Sequence, residues 1–248
     1  MSMPRKIRCT VESITDHGGR VYTVDLRPDT SVPIFRPGQF LHLTVDDYDP
    51  ASFWPESRVF SIASSPRERN RLRICYSVKG RYTARMEQTL KPGGEVWVKL
   101  PYGEFVIDDA SDAVLIAGGT GISAFTAFVD AMTPQTLSRI TLVYGARTPD
   151  LFLFREMIFA QLDRVPNFSA VFFAETNANS FVAPSEPLAR AVCCWPGRIS
   201  LERLWPRWGE PGPRIFYLSG PPVMLPPLTE SLRERGVPPE QIRTDAWE

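Results

Sequence analysis

The sequence predicts two domains in series, an antiparallel β-barrel or sandwich followed by an α/β domain on a parallel sheet. Three observations predict it. Residues 5 to about 107 run as short strands punctuated by turns rich in glycine and proline. From residue 112 onward strands and helices alternate. A chain of 248 residues, 43% of them hydrophobic, can bury one large core or two small ones, and the change of pattern favours two. The domains are expected at 1–108 and 109–248.

The strands of the first half are "KIRCTVESITD", "VYTVDLRP", "QFLHLTV", "RVFSIAS", "LRICYSV" and "EVWVKL", separated by turn signals such as "HGGR", "RPGQ" and "KPGG". One helix is expected among them, "TARMEQTL" at residues 83–90, stopped by Lys91-Pro92-Gly93-Gly94. The stretch "RVFSIASSP", residues 58–66, is the least ordinary. Side chains two apart share a face of a strand, so Arg58, Phe60 and Ile62 lie on one side and Val59 and Ser61 on the other. Read alone, it is a barrel strand with a surface arginine.

The second half opens with the buried strand "AVLIA", the tight turn "GGTG" and the helix "ISAFTAFVDAM". Strand "RITLVYG", helix "LFLFREMIFAQLD" and strand "SAVFFAE" follow, then a looser Pro- and Trp-rich stretch from 177 to 213. Strand "RIFYLSG", a helix around "MLPPLTESLRERG" and a short strand "QIRTDAW" complete the chain. Such alternation implies a parallel sheet covered by helices on both faces.

Twenty-eight basic and 28 acidic residues cancel, which removes the overall field that would gather nucleic acid or an anionic membrane. No apolar run approaches the length of a bilayer, and no apolar segment follows the basic N-terminus, so a soluble, cytoplasmic protein is expected. The cysteines are Cys9, Cys75, Cys193 and Cys194 and the histidines His17 and His42. Their spacing fits neither zinc nor an iron–sulphur cluster, so no metal is expected and any redox cofactor should be organic. The Cys193-Cys194 pair is expected in a semi-buried turn under reducing conditions.

"GGTGISA" follows a buried strand and opens a helix, and Gly119, Gly121 and Ala124 fit G-x-G-x-x-G/A. Glycines there let backbone N–H groups and the helix N-terminus approach a pyrophosphate; a glycine-rich packing turn is the plainer alternative. The acidic residue that normally ends the next strand is missing: that strand ends "LVYGAR", with Arg147 as its first charge. A second glycine turn, "LSGPPVML" with Gly220 and Pro221, lies at the strand edge where open α/β sheets bind ligands.

"RVFS", "PYGEF", "GGTGIS", "YGAR" and "SGPPVM", in this order and with an aromatic near the C-terminus, resemble the ferredoxin-NADP reductase superfamily, particularly the reductase modules of bacterial oxygenases. The resemblance covers nearly the whole chain. It implies an N-terminal flavin-binding antiparallel β-barrel and a C-terminal α/β parallel-sheet domain that binds the nicotinamide nucleotide. It implies that Arg58 binds flavin phosphate, that Phe60 lies against the isoalloxazine with Val59 beside it, and that Ser61 sits near flavin N5. "KGRYT" resembles the family's second phosphate segment, which assigns Gly80, Tyr82 and Thr83 to the phosphates, or else leaves a loop capped by Thr83. Tyr76, Ser77 and Val78 would border the flavin.

In the second domain the resemblance gives Gly119, Thr120 and Gly121 to the pyrophosphate and Arg147 and Glu175 to the adenosine ribose. A carboxylate at Glu175 repels a 2′-phosphate, which favours NADH over NADPH. Phe60 replaces the family's tyrosine, Ala124 a proline, and Ser219 the cysteine near the site of hydride transfer. Trp247, in an acidic-x-aromatic ending, would gate the flavin face, or else pack at a domain edge. The expectation is an NAD(P)H-dependent flavoprotein oxidoreductase of the ferredoxin reductase type. It would carry FAD, with FMN as the alternative, and pass electrons to a separate acceptor such as a ferredoxin or oxygenase component. The rival is a non-turnover flavin- or nucleotide-binding electron-transfer or sensing subunit of a larger complex.

Overall fold

The computed structural model describes residues 3–183, 192–209 and 212–245. These form two compact units; the first ends at Val106 and also takes in Thr126–Ala131, and the second holds Ile107–Phe125 and the chain from Met132 on.

The first unit is a six-stranded antiparallel sheet curled into a nearly closed barrel. Its strands are β1 (Arg5–Asp16), β2 (Val21–Pro28), β3 (Phe40–Thr44), β4 (Arg58–Ser61), β5 (Leu72–Ser77) and β6 (Glu95–Tyr102), in the order β4-β3-β6-β1-β2-β5. Alternation drives the curl. On β6, Val96, Val98 and Leu100 are buried, and they meet Ile7, Leu26, Leu41, Leu43 and Ile74 in one core. Since β4 and β5 are the two ends of the sheet, the barrel keeps a seam between them, bridged by the Ala63 amide donating to the Arg73 carbonyl at 2.8 Å.

Helix α1 (Arg81–Thr89) contributes Tyr82 and Met86 to this core. It starts two residues before the expected position because the Thr83 hydroxyl accepts from the amides of Lys79 (3.0 Å) and Gly80 (3.2 Å), which caps the first turn from inside. The strand expected over 58–64 ends at Ser61.

The second unit is a fully parallel six-stranded sheet of β7 (Ala113–Gly118), β8 (Ile140–Ala146), β9 (Phe168–Ala174), β10 (Val192–Pro196), β11 (Ile215–Ser219) and β12 (Ile242–Asp245), ordered β10-β9-β8-β7-β11-β12. All six residues of β7 are buried, as a strand covered on both faces requires. Helices α4 (Leu201–Trp208) and α5 (Leu225–Glu234) pack on one face through Leu201, Leu204, Leu225, Leu228 and Leu232. Helix α3 (Arg155–Arg164) sets Phe159 against Phe172, whose neighbour Phe173 faces the opposite way into the α4–α5 core.

Four details depart from expectation. Helix α2 (Ser123–Ala131) begins after a tighter turn over Gly119–Ile122. Helix α3 begins at Arg155, since Phe154 is left-handed (φ 58°) and breaks the run from Leu151. The stretch 177–213, read as loose, holds β10 and α4. Cys193 and Cys194 therefore lie on an edge strand rather than in a turn, and both are free thiols.

Among the described residues no helix is long and apolar enough to cross a membrane, and no three His, Cys, Asp or Glu side chains gather where a metal could bind.

Candidate functional site

Two candidate sites emerge, one in each unit. In the barrel, register places Phe60 opposite Leu41 and Arg58 opposite Leu43, with Val59 opposite His42 and Ser61 opposite Phe40. Phe60 thus shares the buried side of Leu41 and Leu43, while Arg58, two residues before it, stands at the exposed start of the strand. Phe60 is only 9% exposed and meets Tyr76 of β5 edge-to-face across the seam, at 6.3 Å between ring centroids. Tyr76 stacks in turn on Tyr22 at 5.3 Å, and burial pushes its phenol well above the ordinary range. Ser77 and Val78 continue the seam half-buried.

Arg58 opens β4 and lays its guanidinium over the Tyr82 ring at 4.7 Å, beside the first turn of α1. Glu56 steadies it at 3.0 Å and approaches Arg81 at 4.0 Å, so one carboxylate holds two guanidinium groups at a helix N-terminus. Glu56 was not singled out in the sequence; only the fold brings it there. No acidic residue occupies the first turn, and nothing lies within 4 Å of where a Cβ on Gly80 would stand. A helix N-terminus flanked by two arginines suits a phosphate.

The hydroxyls expected to help are engaged elsewhere. Tyr82 donates to the Leu43 carbonyl at 3.0 Å, and Thr83 caps its own helix. A hydroxyl that sequence reasoning passed over, Ser64, is buried just beyond β4 with no hydrogen-bond partner among the described residues. An orphaned buried donor on the seam is what a polar ligand there would satisfy.

In the second unit two glycine turns lock together at the C-terminal ends of the adjacent strands β7 and β11. A Cβ on Gly121 would stand 2.4 Å from the Ser219 carbonyl oxygen, and one on Gly220 3.1 Å from the Gly118 Cα. Gly119 differs: its φ is +53° and the space before it is open. The turn is thus welded on one side and bare on the other, with Thr120 half-exposed between the two glycines and Pro221 beside them. The Thr120 carbonyl is held by the Ser123 hydroxyl at 2.8 Å.

At the same edge Ser219 donates to Asp245 Oδ2 at 2.9 Å. They are 2% and 3% exposed and face each other in the β11–β12 register. The acid belongs to the acidic-x-aromatic ending, but only strand pairing reveals its bond to Ser219. Trp247 lies outside the described residues. Two and three strands from β11, Arg147 and Glu175 follow β8 and β9, and the Glu175 amide continues the ladder to the Ala146 carbonyl at 3.0 Å.

Residues 115–181 match the family model described as an oxidoreductase NAD-binding domain. The chain is 33% identical over 120 residues to the reductase component 2 of terephthalate 1,2-dioxygenase from Comamonas sp., which covers 46% of this chain and 33% of that protein. It is 31% identical over 151 residues to the NAD(P)H-flavin reductase of Aliivibrio fischeri, covering 57% and 61% respectively. The aligned part is less than two thirds of either relative's length. Among solved structures, a ferredoxin reductase in carbazole 1,9a-dioxygenase shares the fold with a TM-score of 0.74 at 22% identity, over 99% of this chain and 70% of that one. In sequence and in fold, the chain resembles two-domain reductases of the ferredoxin reductase type.

Proposed function

We propose that this chain is a flavin-dependent NAD(P)H reductase, its barrel (1–108) the flavin domain and its α/β part (109–248) the nucleotide domain. It would take hydride from the nicotinamide nucleotide and deliver electrons to a separate acceptor, such as a ferredoxin or an oxygenase component. The observation that carries this reading is the pair of candidate sites in one chain: an arginine-flanked helix N-terminus on the barrel, and a glycine turn open on one side at the edge of a parallel sheet.

Bound flavin supplies the one chemistry the side chains lack, accepting two electrons together and releasing them singly. The residues present fit it. Arg58 and the first turn of α1 hold phosphate, Phe60 and Tyr76 line the seam with apolar faces, and Ser61 and the orphaned Ser64 offer hydroxyls. FAD is favoured over FMN on the resemblance of "PYGEF".

For the substrate, Gly119, Thr120 and Gly121 present backbone amides to the pyrophosphate. Ser219 has its proton committed to Asp245, so toward a ligand its oxygen can only accept, which suits an amide N–H such as that of a nicotinamide carboxamide. Arg147 and Glu175 meet the adenosine ribose. Four free cysteines fit a reducing, cytoplasmic setting.

The deciding experiment is the visible spectrum of the purified protein, followed by stepwise anaerobic addition of NADH and of NADPH. Yellow protein that bleaches within the mixing time is the expected result. A bound flavin that stays oxidised would favour the non-turnover subunit, and a colourless protein that takes up neither FAD nor FMN would end the flavin reading.

A further inference from the structure

We propose that Arg198 is the residue that reads the 2′ position of the nucleotide's adenosine ribose, and that it admits a 2′-phosphate despite Glu175. The inference rests on the nucleotide reading above.

Strands β8, β9 and β10 are parallel neighbours that end level, Ala146 pairing with Ala174 and Ala174 with Pro196. The ladder runs on past the strands. The Thr176 amide donates to the Arg147 carbonyl and the Gly197 amide to the Ala174 carbonyl, both at 2.8 Å. The backbone therefore fixes Arg147, Glu175 and Arg198 along one edge. Arg198 Nε lies 3.4 Å from Glu175 Oε2, with side chains 86% and 42% exposed. A fourth charge stands at the same strand end: Arg203 donates to the Pro196 carbonyl at 2.9 Å and rests over the Trp195 ring at 4.5 Å.

Glu175 alone would repel a phosphate. Arg198 beside it offsets that charge, with Arg147 and Arg203 at the same end of the sheet, and an ion pair this exposed is weak and exchanges partners readily. With a free diol, Arg198 stays on Glu175, whose carboxylate accepts from the hydroxyls. With a 2′-phosphate, Arg198 turns to the phosphate, where its fork can bind two oxygens. One guanidinium thus serves both coenzymes, and the pairing of Glu175 changes the charge count behind the expectation of NADH preference.

The test is calorimetric titration of the flavin-loaded, full-length protein with 5′-AMP and with 2′,5′-ADP. Wild type should bind 2′,5′-ADP at least as tightly as 5′-AMP. Arg198→Ala should weaken 2′,5′-ADP relative to 5′-AMP about tenfold or more, the scale of a lost charge-assisted hydrogen bond. Glu175→Gln should shift the same ratio in favour of 2′,5′-ADP. A wild type that prefers 5′-AMP tenfold, an Arg198→Ala ratio within twofold of wild type, or a Glu175→Gln protein with no gain each overturns the role of Arg198. Should neither fragment bind nor compete with NADH, the nucleotide reading itself falls, a result distinct from a failure of the selector alone.

Discussion

Gly119 and Gly121 belong to one turn, yet a methyl group means something different at each. At Gly121 it would press into the Ser219 carbonyl at 2.4 Å and the Gly220 amide at 2.6 Å, both backbone atoms that cannot step aside. Overpacking of this kind costs about 1–3 kcal/mol. At Gly119 it meets nothing within 4 Å, so only the left-handed φ of +53° opposes it, at about 1–2 kcal/mol. But that methyl would fill the bare side of the turn, where the proposed function puts the pyrophosphate. Gly121→Ala should therefore lose more in thermal unfolding, and Gly119→Ala more in NADH affinity relative to its stability loss. Melting curves and NADH titrations of both variants test the ordering; the opposite order would put the nucleotide elsewhere. At this scale the sequence names residue types well and partners poorly. The resemblance reads "RYT" as hydroxyls for a phosphate, but nothing in the letters says that Tyr82 is bound to Leu43 or that Thr83 serves its own helix. Ser219 and Asp245 are 26 positions apart, and only the β11–β12 pairing joins them.

Among the elements, the starts of three parallel strands meet at one residue. Asp112 accepts from the Arg139 amide and from Arg139 Nε, each at 2.8 Å, while its own carbonyl takes the Ile215 amide at 2.9 Å. It ties β7, β8 and β11 together at the end of the sheet opposite the glycine turns. The hydrogen bond from the Arg139 amide, ahead of the guanidinium's contribution, holds the Asp112 carboxyl below the ordinary range. A lowered native pKa gives stability that is present above the unfolded value near 4 and is lost as pH falls through the native one. Asp112→Asn should cost about 1 kcal/mol at pH 7, or on the order of 2–4 °C in melting temperature for a chain of this size. The gap from wild type should narrow as pH falls below about 4 and close once pH has fallen through the lower native value, as protonation removes the same charge. A gap that is constant from pH 7 to pH 3 would exclude this cause. Elements with clean periodicity were legible, β7 and β8 almost to the residue. Helix α4 was not, although Leu201, Leu204, Trp205 and Trp208 follow a helical stripe onto Phe216 and the neighbouring core. Eight residues with Pro206 inside, in a stretch full of proline, read as a loop until the buried sheet gives that stripe a surface to cover.

For the whole molecule, the proposed division of labour is itself testable, since each unit has its own core and its own candidate site. A ligand stabilises what it binds by RT ln(1 + [L]/Kd), about 2.7 kcal/mol at a hundred times Kd. Amides that exchange through opening of the bound region should then slow by up to about a hundredfold. Hydrogen exchange followed by mass spectrometry on flavin-free protein should show FAD protecting peptides over 58–64 and 79–84, that is β4 with the residues after it and the first turn of α1. NAD⁺ should protect 118–121 and 219–221, where β7 and β11 end in the interlocked glycine turns. The two maps separate the readings that sequence alone left together, because a glycine turn that merely packs and one that binds look identical as letters. Protection of 118–121 by FAD, with 58–64 unchanged, would move the flavin to the α/β unit and leave Arg58 as the surface arginine of an ordinary barrel strand.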